Sequence, residues 1–535
     1  MTSSGLLTIP EALRSAVGTE ARIDFHLEDG VQSRTAAELL ERASFNAACL
    51  VERGIRPGDM VGLVGSNRPE WAEWAYGVWL AGAALVPLPA PVRIRNKDAY
   101  AEQIRFLSSA MTCVALVSEP KLRDVLGPWE TIDWSESSNS QLEVPEPPSL
   151  DAIATVLCTS GSTSMPKGVM VDHRTIASRE LRRAQLGTQI GRDVMWLPFF
   201  HTGGISTMIK PAYHGVVTHI LPAERFARDP ISWFRTITEV GGTVTGAASS
   251  AWLTAMRAAE RKPDGIDLST LKSAIFSLEM IDPEVVDYCT SVGKRFGLVP
   301  TALNCSYGMS EGTGISSTPP GEGIRIETLD LDELVSSRRA VIATTGLTKR
   351  VASCGRPSYG VELKVVDEEG NTLGDREVGQ VIVRSSSLMK GYLGQSDSGI
   401  SPDGWLFTGD AGYLTDGELF LTGRVKELII SRGHNYHPED IERAATVALG
   451  ISQDRCVAFS KPDAEGEAVV VIEAVDGLEP STASSAVRES VSSTVGQLVM
   501  DIVFVTPDSI PRTPTGKMKR NEARQMLMDG SFSLA

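Results

Sequence analysis

The chain has 535 residues, 42% hydrophobic, 22% charged and 6% aromatic, which excludes disorder, collagen or a coiled coil as its main architecture. At about 100–200 residues per domain, that length predicts two to four domains. Acidic residues number 67 and basic ones 51, a net charge of −16, so nucleic acid and anionic membrane are poor partners for this surface. In chain order, Met1 to Pro10 lack a basic segment followed by an apolar one, the mark of a secretory signal. Met60 to Val64 (MVGLV) reads as a buried strand and Pro69 to Ala81 (PEWAEWAYGVWLA) as a helix with apolar residues three and four apart. Strands follow at Ala84 to Pro87, Val114 to Val117, Thr155 to Cys158, Val194 to Leu197, Val217 to Leu221 and Ser273 to Ser277. Strands alternating with helices predict an α/β fold of parallel sheets flanked by helices.

Shorter, turn-linked strands at Glu362 to Val366, Gly379 to Val383 and Leu419 to Leu421 predict a small, more antiparallel, barrel-like part over about 350–423. After Gly423 the rhythm changes again. Val425 to Ile430, a helix over about Pro438 to Val447, Cys456 to Phe459, Ala468 to Ala474, a helix near Thr482 to Val495, and Ile502 to Val505 form an α/β unit of domain size. The expected division is 1–423 and 424–535. Asp133 to Pro148 reads as a surface loop. Gly312 to Lys349 is a long mixed stretch whose LDLDEL segment suits a short helix. No run of about 18 apolar residues predicts a membrane helix. Cysteines at 49, 113, 158, 289, 305, 354 and 456 form no C-x-x-C pair. Their odd number and scatter fit free thiols in a reducing, cytoplasmic setting.

Chemistry concentrates at Thr155 to Val169, TVLCTSGSTSMPKGV. A strand runs into Gly, Ser and Thr, whose small size lets backbone N–H groups approach an anion. Lys167 adds a point charge suited to phosphate. A Ser/Gly run is ordinarily a polar loop, but here the order is constrained, and it is neither a Walker A loop nor a dinucleotide fingerprint. The segment resembles the phosphate loop of the adenylate-forming superfamily, which includes acyl-CoA synthetases, peptide-synthetase adenylation domains and luciferases. Further segments resemble that family's motifs in its own order: Trp196 to His201 (WLPFFH), Asn304 to Glu311 (NCSYGMSE), Cys354 to Pro357, Gly379 to Arg384, Trp405 to Asp410 (WLFTGD), Gly423 to Lys426 and Pro511 to Lys517 (PRTPTGK). The likeness runs from about Ala21 to Arg524.

The resemblance implies two domains that bind ATP and Mg²⁺ between them. Thr159, Ser160, Gly161, Ser162, Thr163 and Lys167 would hold the phosphates. Glu279, Ser306, Tyr307, Gly308, Met309 and Ser310 would surround the adenine, with Tyr307 offering a ring face for stacking. Asp410, Leu421 and Arg424 would face the ribose. Glu311 and Thr163 would hold Mg²⁺, a hard cation that prefers oxygen. Lys426 would be the hinge. Lys517 would be the adenylation lysine, a cation between an anionic carboxylate and an anionic α-phosphate. His201, Gly203, Ala247, Leu278 and Ser306 would line the acid pocket, with His201 gating it or holding the carboxylate. His173, His434 and His437 read as structural or surface residues.

Several stretches resemble the fatty acyl-AMP ligase branch in particular, among them Leu268 to Leu271, Gly417 to Arg424 and Arg432 to Glu442. About 44 residues separate Glu311 from Gly355, where that branch carries an insertion that hinders the rotation admitting coenzyme A. Members of that branch stop at the acyl-adenylate or pass it to a carrier-protein phosphopantetheine, so the resemblance implies a carrier-protein thiol or an amine as acceptor here, ahead of coenzyme A. Three departures surround the acid pocket: Ser277-Leu-Glu-Met280 where the branch has a small-residue motif, Phe200-His-Thr-Gly-Gly204, and Ala247-Ala-Ser-Ser-Ala251. Leu278 would fill tunnel volume, which predicts a small or aromatic acid. Two alternatives remain open at this point: a diazotase-like activity that adenylates nitrite and nitrosates an aromatic amine, and a non-catalytic nucleotide-binding relative.

Overall fold

The computed structural model describes residues 5–90, 94, 96–126, 131–136, 146–159, 166–186, 190–431, 434–462, 466–475, 477, 479–496, 498–512 and 518–535. Two large sheets form the body. In the first, strands Leu303–Met309, Ser273–Phe276, Val244–Ala247, Asp193–Met195, Val217–Ile220 and Arg22–Leu27 lie side by side and parallel. Antiparallel strands flank them, Gly312–Ser317 and Arg356–Pro357 at one edge and Gly30–Thr35 at the other. In the second, Thr131–Asp133, Ala115–Ser118, Met60–Val64, Ala84–Leu88 and Ile153–Thr159 are parallel, and Lys167–Asp172 and Gly391–Tyr392 close the edge antiparallel. The expected α/β architecture is the one observed.

The helix expected from Pro69 spans Pro69–Leu80, and all but one of its twelve residues are buried. A helix that is apolar all round belongs inside a core. Its Trp71, Trp74 and Trp79 join a cluster that takes Ile23 and Phe25 from the first sheet and Val61 and Leu63 from the second. The indole N–H of Trp74 donates to Trp134 O (2.8 Å) and that of Trp79 to Ala154 O (2.8 Å), so neither buried donor is stranded. Gly77 admits helix Ala36–Glu52 closely: a Cβ there would lie 2.7 Å from Asn46 Cβ.

The expected barrel-like part is an antiparallel sheet of Val361–Val366, Gly379–Ser385, Leu406–Thr415 and Glu418–Arg424. The chain then turns. Val425 to Ile430, expected as one strand, is a 3-10 turn over Val425–Glu427 and a short strand, Ile429–Ser431. Lys426 and Glu427 interrupt the apolar run and favour solvent over a sheet face. Beyond it, Cys456–Ser460, Glu467–Glu473 and Val499–Val505 make a three-stranded sheet covered by helices Pro438–Leu449 and Pro480–Val495. The short helix expected in the long mixed stretch is Leu331–Ser336. Its Leu331 and Val335 pack with Ile429, Tyr436 and Ile441 of the C-terminal unit. Lys349, nearly buried, pairs with Asp440 (2.6 Å) and donates to Thr422 O (3.0 Å). Among the described residues, no helix is long and apolar enough to cross a membrane.

Gly355 fixes the crossing between the two antiparallel regions. It has φ +77°, and a Cβ would fall 2.0 Å from the Ser317 carbonyl carbon, which is backbone and cannot swing away. Gly355→Ala is expected to cost at least about 3 kcal/mol, left-handed strain plus overpacking. Gly370→Ala has similar φ (+87°) and nothing within 4 Å, so it should cost only about 1–2 kcal/mol. Denaturant unfolding of the pair separates the steric part from the backbone part.

Candidate active site

Four parallel strands of the first sheet end at one edge, and each delivers an expected site residue there. Asp193–Met195 leads to His201, Val244–Ala247 ends at Ala247, Ser273–Phe276 leads to Leu278, and Leu303–Met309 carries Ser306 and Tyr307. Ligands in open α/β sheets bind outside the carboxyl ends of strands.

His201 caps helix Thr202–His214, its Nδ1 accepting the Gly203 N–H at 3.1 Å. That bond leaves the ring proton on Nε2, and burial lowers the His201 pKa to about 4. The imidazole is therefore a neutral donor near pH 7. The loop before it is pinned from afar: Asn67 donates to Leu197 O (2.9 Å) and accepts the Phe199 N–H (2.9 Å). Gly204 has no room for a side chain, because a Cβ would lie 2.1 Å from Pro198 O. Asn67 is a positioning residue that no local motif in the sequence marks.

Leu278 has φ +77° and is 39% exposed. Left-handed backbone is strained for a branched residue and natural for glycine. The next residue, Glu279, expected near the adenine, accepts the Ser250 N–H at 2.8 Å in the first turn of helix Ser249–Arg261.

Tyr307 donates its hydroxyl to Asp410 Oδ2, and Arg424 Nε pairs with Asp410 Oδ1 at 3.1 Å. Asp410 and Arg424 face each other across adjacent strands of the antiparallel sheet. Leu421, on the same strand as Arg424, packs with Tyr307 against a cluster of Cys305, Cys354 and Leu419. Three residues expected around the nucleoside thus meet from two different sheets, with Leu421 beside them. Burial and the Asp410 charge push the Tyr307 hydroxyl well above its usual pKa, so it stays a donor.

Thr159 and Lys167 are the paired ends of an antiparallel hairpin, Thr159 Oγ1 donating to Lys167 O at 3.3 Å. Ser160, Gly161, Ser162 and Thr163 lie outside the described residues. Glu311 sits in the turn between Leu303–Met309 and Gly312–Ser317, beside Gly308, Met309 and Ser310. Its Oε1 accepts the Tyr392 hydroxyl at 3.0 Å, and Lys167 Nζ stands 4.5 Å from the Tyr392 ring centroid. Mg²⁺ takes one or two carboxylates together with substrate phosphates rather than an all-protein cage, so this single carboxylate near the Thr159–Lys167 hairpin fits it. Lys426 is exposed in the turn after Arg424. Lys517 lies outside the described residues; its flanks Arg512 and Met518 are bridged, and Arg512 pairs with Glu473 at 3.0 Å. His437, expected as structural or surface, is buried against Gly423 at the turn, its pKa lowered by burial to about 3.

A family model described as AMP-binding enzyme matches residues 12–393. The chain belongs to that family. Rv1013 of Mycobacterium tuberculosis is 34% identical over 515 residues, 91% of this chain and 93% of its own. JamA of Moorena producens, a medium-chain-fatty-acid–[acyl-carrier-protein] ligase, is 28% identical over 546 residues, covering 94% and 91%. A solved structure from studies of fatty acyl-adenylate ligases of E. coli and L. pneumophila superposes with TM-score 0.91 at 26% identity, covering 99% of both chains. The protein is an ATP-dependent, AMP-forming ligase of the adenylate-forming kind, as the motifs implied.

Burial lowers the pKa of His173 and His201 to about 4 and of His437 to about 3. Each is neutral when folded, whereas the unfolded residue titrates at 6.5. The unfolded chain binds more protons between these values, so stability present above pH 6.5 is lost as pH falls towards 4. His201→Asn keeps a capping acceptor and removes one titrating group. Urea unfolding should show a stability slope smaller by up to about 1.4 kcal/mol per pH unit below pH 6.

Proposed function

We propose that this enzyme activates a small or aromatic carboxylic acid as its acyl-adenylate and passes the acyl group to a carrier-protein thiol or an amine. A carboxylate oxygen attacks the α-phosphorus of ATP, the bond to the bridging oxygen breaks, and pyrophosphate leaves with that electron pair. His201 presents Nε2–H to the acid. Lys517, carried by the 424–535 unit, offsets the repulsion between the two anions. Tyr307, Asp410 and Arg424 hold the nucleoside, while Thr159 to Thr163 and Lys167 hold the phosphates. Mg²⁺ on Glu311 and Thr163 would neutralise charge on the phosphates.

The observation that carries the choice of acid is Leu278, a branched side chain held at φ +77° at the strand ends where the pocket is expected. Such strain persists where the surroundings impose it, commonly at functional sites. In that position its side chain would take the volume a longer acyl tail needs. The acceptor rests on the stretch between Glu311 and Gly355. Leu331, Val335 and the Lys349–Asp440 pair tie it to the C-terminal unit, which opposes the turn that would admit coenzyme A. JamA, with its carrier-protein acceptor, supports the same choice.

Substrate-dependent pyrophosphate exchange tests the reading. Benzoates and short acids should outrun chains of about twelve carbons or more, and a maximum among the long chains would overturn it. AMP release with nitrite alone would instead indicate the diazotase-like activity, and nucleotide binding without any exchange a non-catalytic relative. On the best acid, Lys517→Ala should lose about 100- to 1000-fold in rate. Leu278→Gly relieves the left-handed strain and opens the pocket. It should raise the rate with an eight-carbon acid about tenfold relative to the parent, read by the same exchange assay.

A further inference from the structure

We propose that Tyr392 is a positioning residue that holds the Glu311 carboxylate and the Lys167 ammonium on one side chain, ready for a metal–nucleotide complex. The proposal rests on the reading of Glu311 as the metal carboxylate and Lys167 as the phosphate-loop cation. Tyr392 lies outside every motif the sequence singles out.

The tyrosine belongs to a short segment zipped to both partners by backbone. Met389 N–H donates to Glu311 O (2.8 Å), Lys390 N–H to Met170 O (2.8 Å) and Leu393 N–H to Gly168 O (2.8 Å). Strand Gly391–Tyr392 pairs antiparallel with the strand that begins at Lys167, Tyr392 opposite Val169. Two glycines let the segment close down. A Cβ on Gly168 would lie 2.6 Å from Met111 Sδ and 3.1 Å from Leu393 Cβ, and one on Gly399 would lie 2.8 Å from Tyr392 Cε2. Gly399 thus lets the chain pass close against one edge of the ring.

Tyr392 makes two different contacts. The hydroxyl donates to Glu311 Oε1 at 3.0 Å. The ring lies 4.5 Å from Lys167 Nζ, a cation–π contact. The phenol engages only one oxygen of Glu311 and fixes the rotamer of the carboxylate. The ammonium rests on a weak, replaceable contact, from which a phosphate oxygen draws it. Hydrogen-bond partners of this kind orient metal-binding carboxylates, and their loss typically costs about 10–100-fold in metal affinity.

The test is calorimetric binding of α,β-methylene ATP to the full chain, with Mg²⁺ and with EDTA. The parent should bind more tightly with Mg²⁺, and Glu311→Gln should abolish that gain. Tyr392→Phe keeps the ring over Lys167 and removes the hydroxyl. It should leave metal-free affinity within about twofold and cut the Mg²⁺-dependent gain about tenfold. Tyr392→Leu removes the ring too and should also weaken metal-free binding several-fold. In turnover, Tyr392→Phe should raise the half-saturating Mg²⁺ concentration about tenfold with kcat at saturating Mg²⁺ nearly unchanged. A Phe variant with the parent's full Mg²⁺ gain overturns the proposal. Equal losses with and without metal also overturn it, because they mark a purely structural residue. A parent without any Mg²⁺ gain, or a Glu311→Gln variant that retains it, overturns the underlying reading of Glu311 instead.

Discussion

The hydrogen bond from Tyr307 to Asp410 joins the two halves of the candidate site. Tyr307 rides on a strand of the nine-stranded sheet, and Asp410 on a strand of the four-stranded one. One sheet supplies the Tyr307 ring and the other the Asp410 carboxylate. Asp410 is 6% exposed, and a carboxylate so buried needs partners. Tyr307 and Arg424 supply one to each oxygen. Arg424 is the last residue of its strand, and the chain turns directly after it.

From that point outward the site is a set of strand ends held in place by distant residues. His201 is fixed by its helix, the loop before it by Asn67, and Glu311 by the segment that carries Tyr392. The long stretch after Glu311 reaches the other way and places Leu331 and Val335 in the core of the C-terminal unit. Lys349, nearly buried, ties Asp440 to the backbone of Thr422, two residues before Arg424. Removing either charge of a buried pair leaves the other uncompensated, so this contact resists parting. The same turn is packed tightly by His437, whose ring fills the space a side chain on Gly423 would need.

Much of this was legible in the sequence, and the pattern of what was not is physical. Residues expected to bind one ligand group cluster in contiguous segments, so Thr155 to Val169, Asn304 to Glu311 and Trp405 to Asp410 stand out as motifs. Apolar runs identify strands because each must bury both faces of a parallel sheet. The stretch from Val425 to Ile430 misled because its apolar residues fit a strand, while Lys426 and Glu427 turn the chain instead. Lys517 and Ser160 to Thr163 remain expectations from the motifs, since they lie outside the described residues.

The sequence by itself determined the α/β class and the family and marked the candidate nucleotide-binding residues, because those depend on local order and on chemistry that few residue types supply. Only the tertiary structure decided which distant groups hold them. Asn67 meets Phe199 across 132 positions, Tyr392 meets Glu311 across 81, and Lys349 meets Asp440 across 91. It also decided that Leu278 takes a left-handed backbone and that His201 is neutral with its proton on Nε2. Burial and hydrogen bonding set such properties, and both arise from contacts between chain segments far apart in sequence.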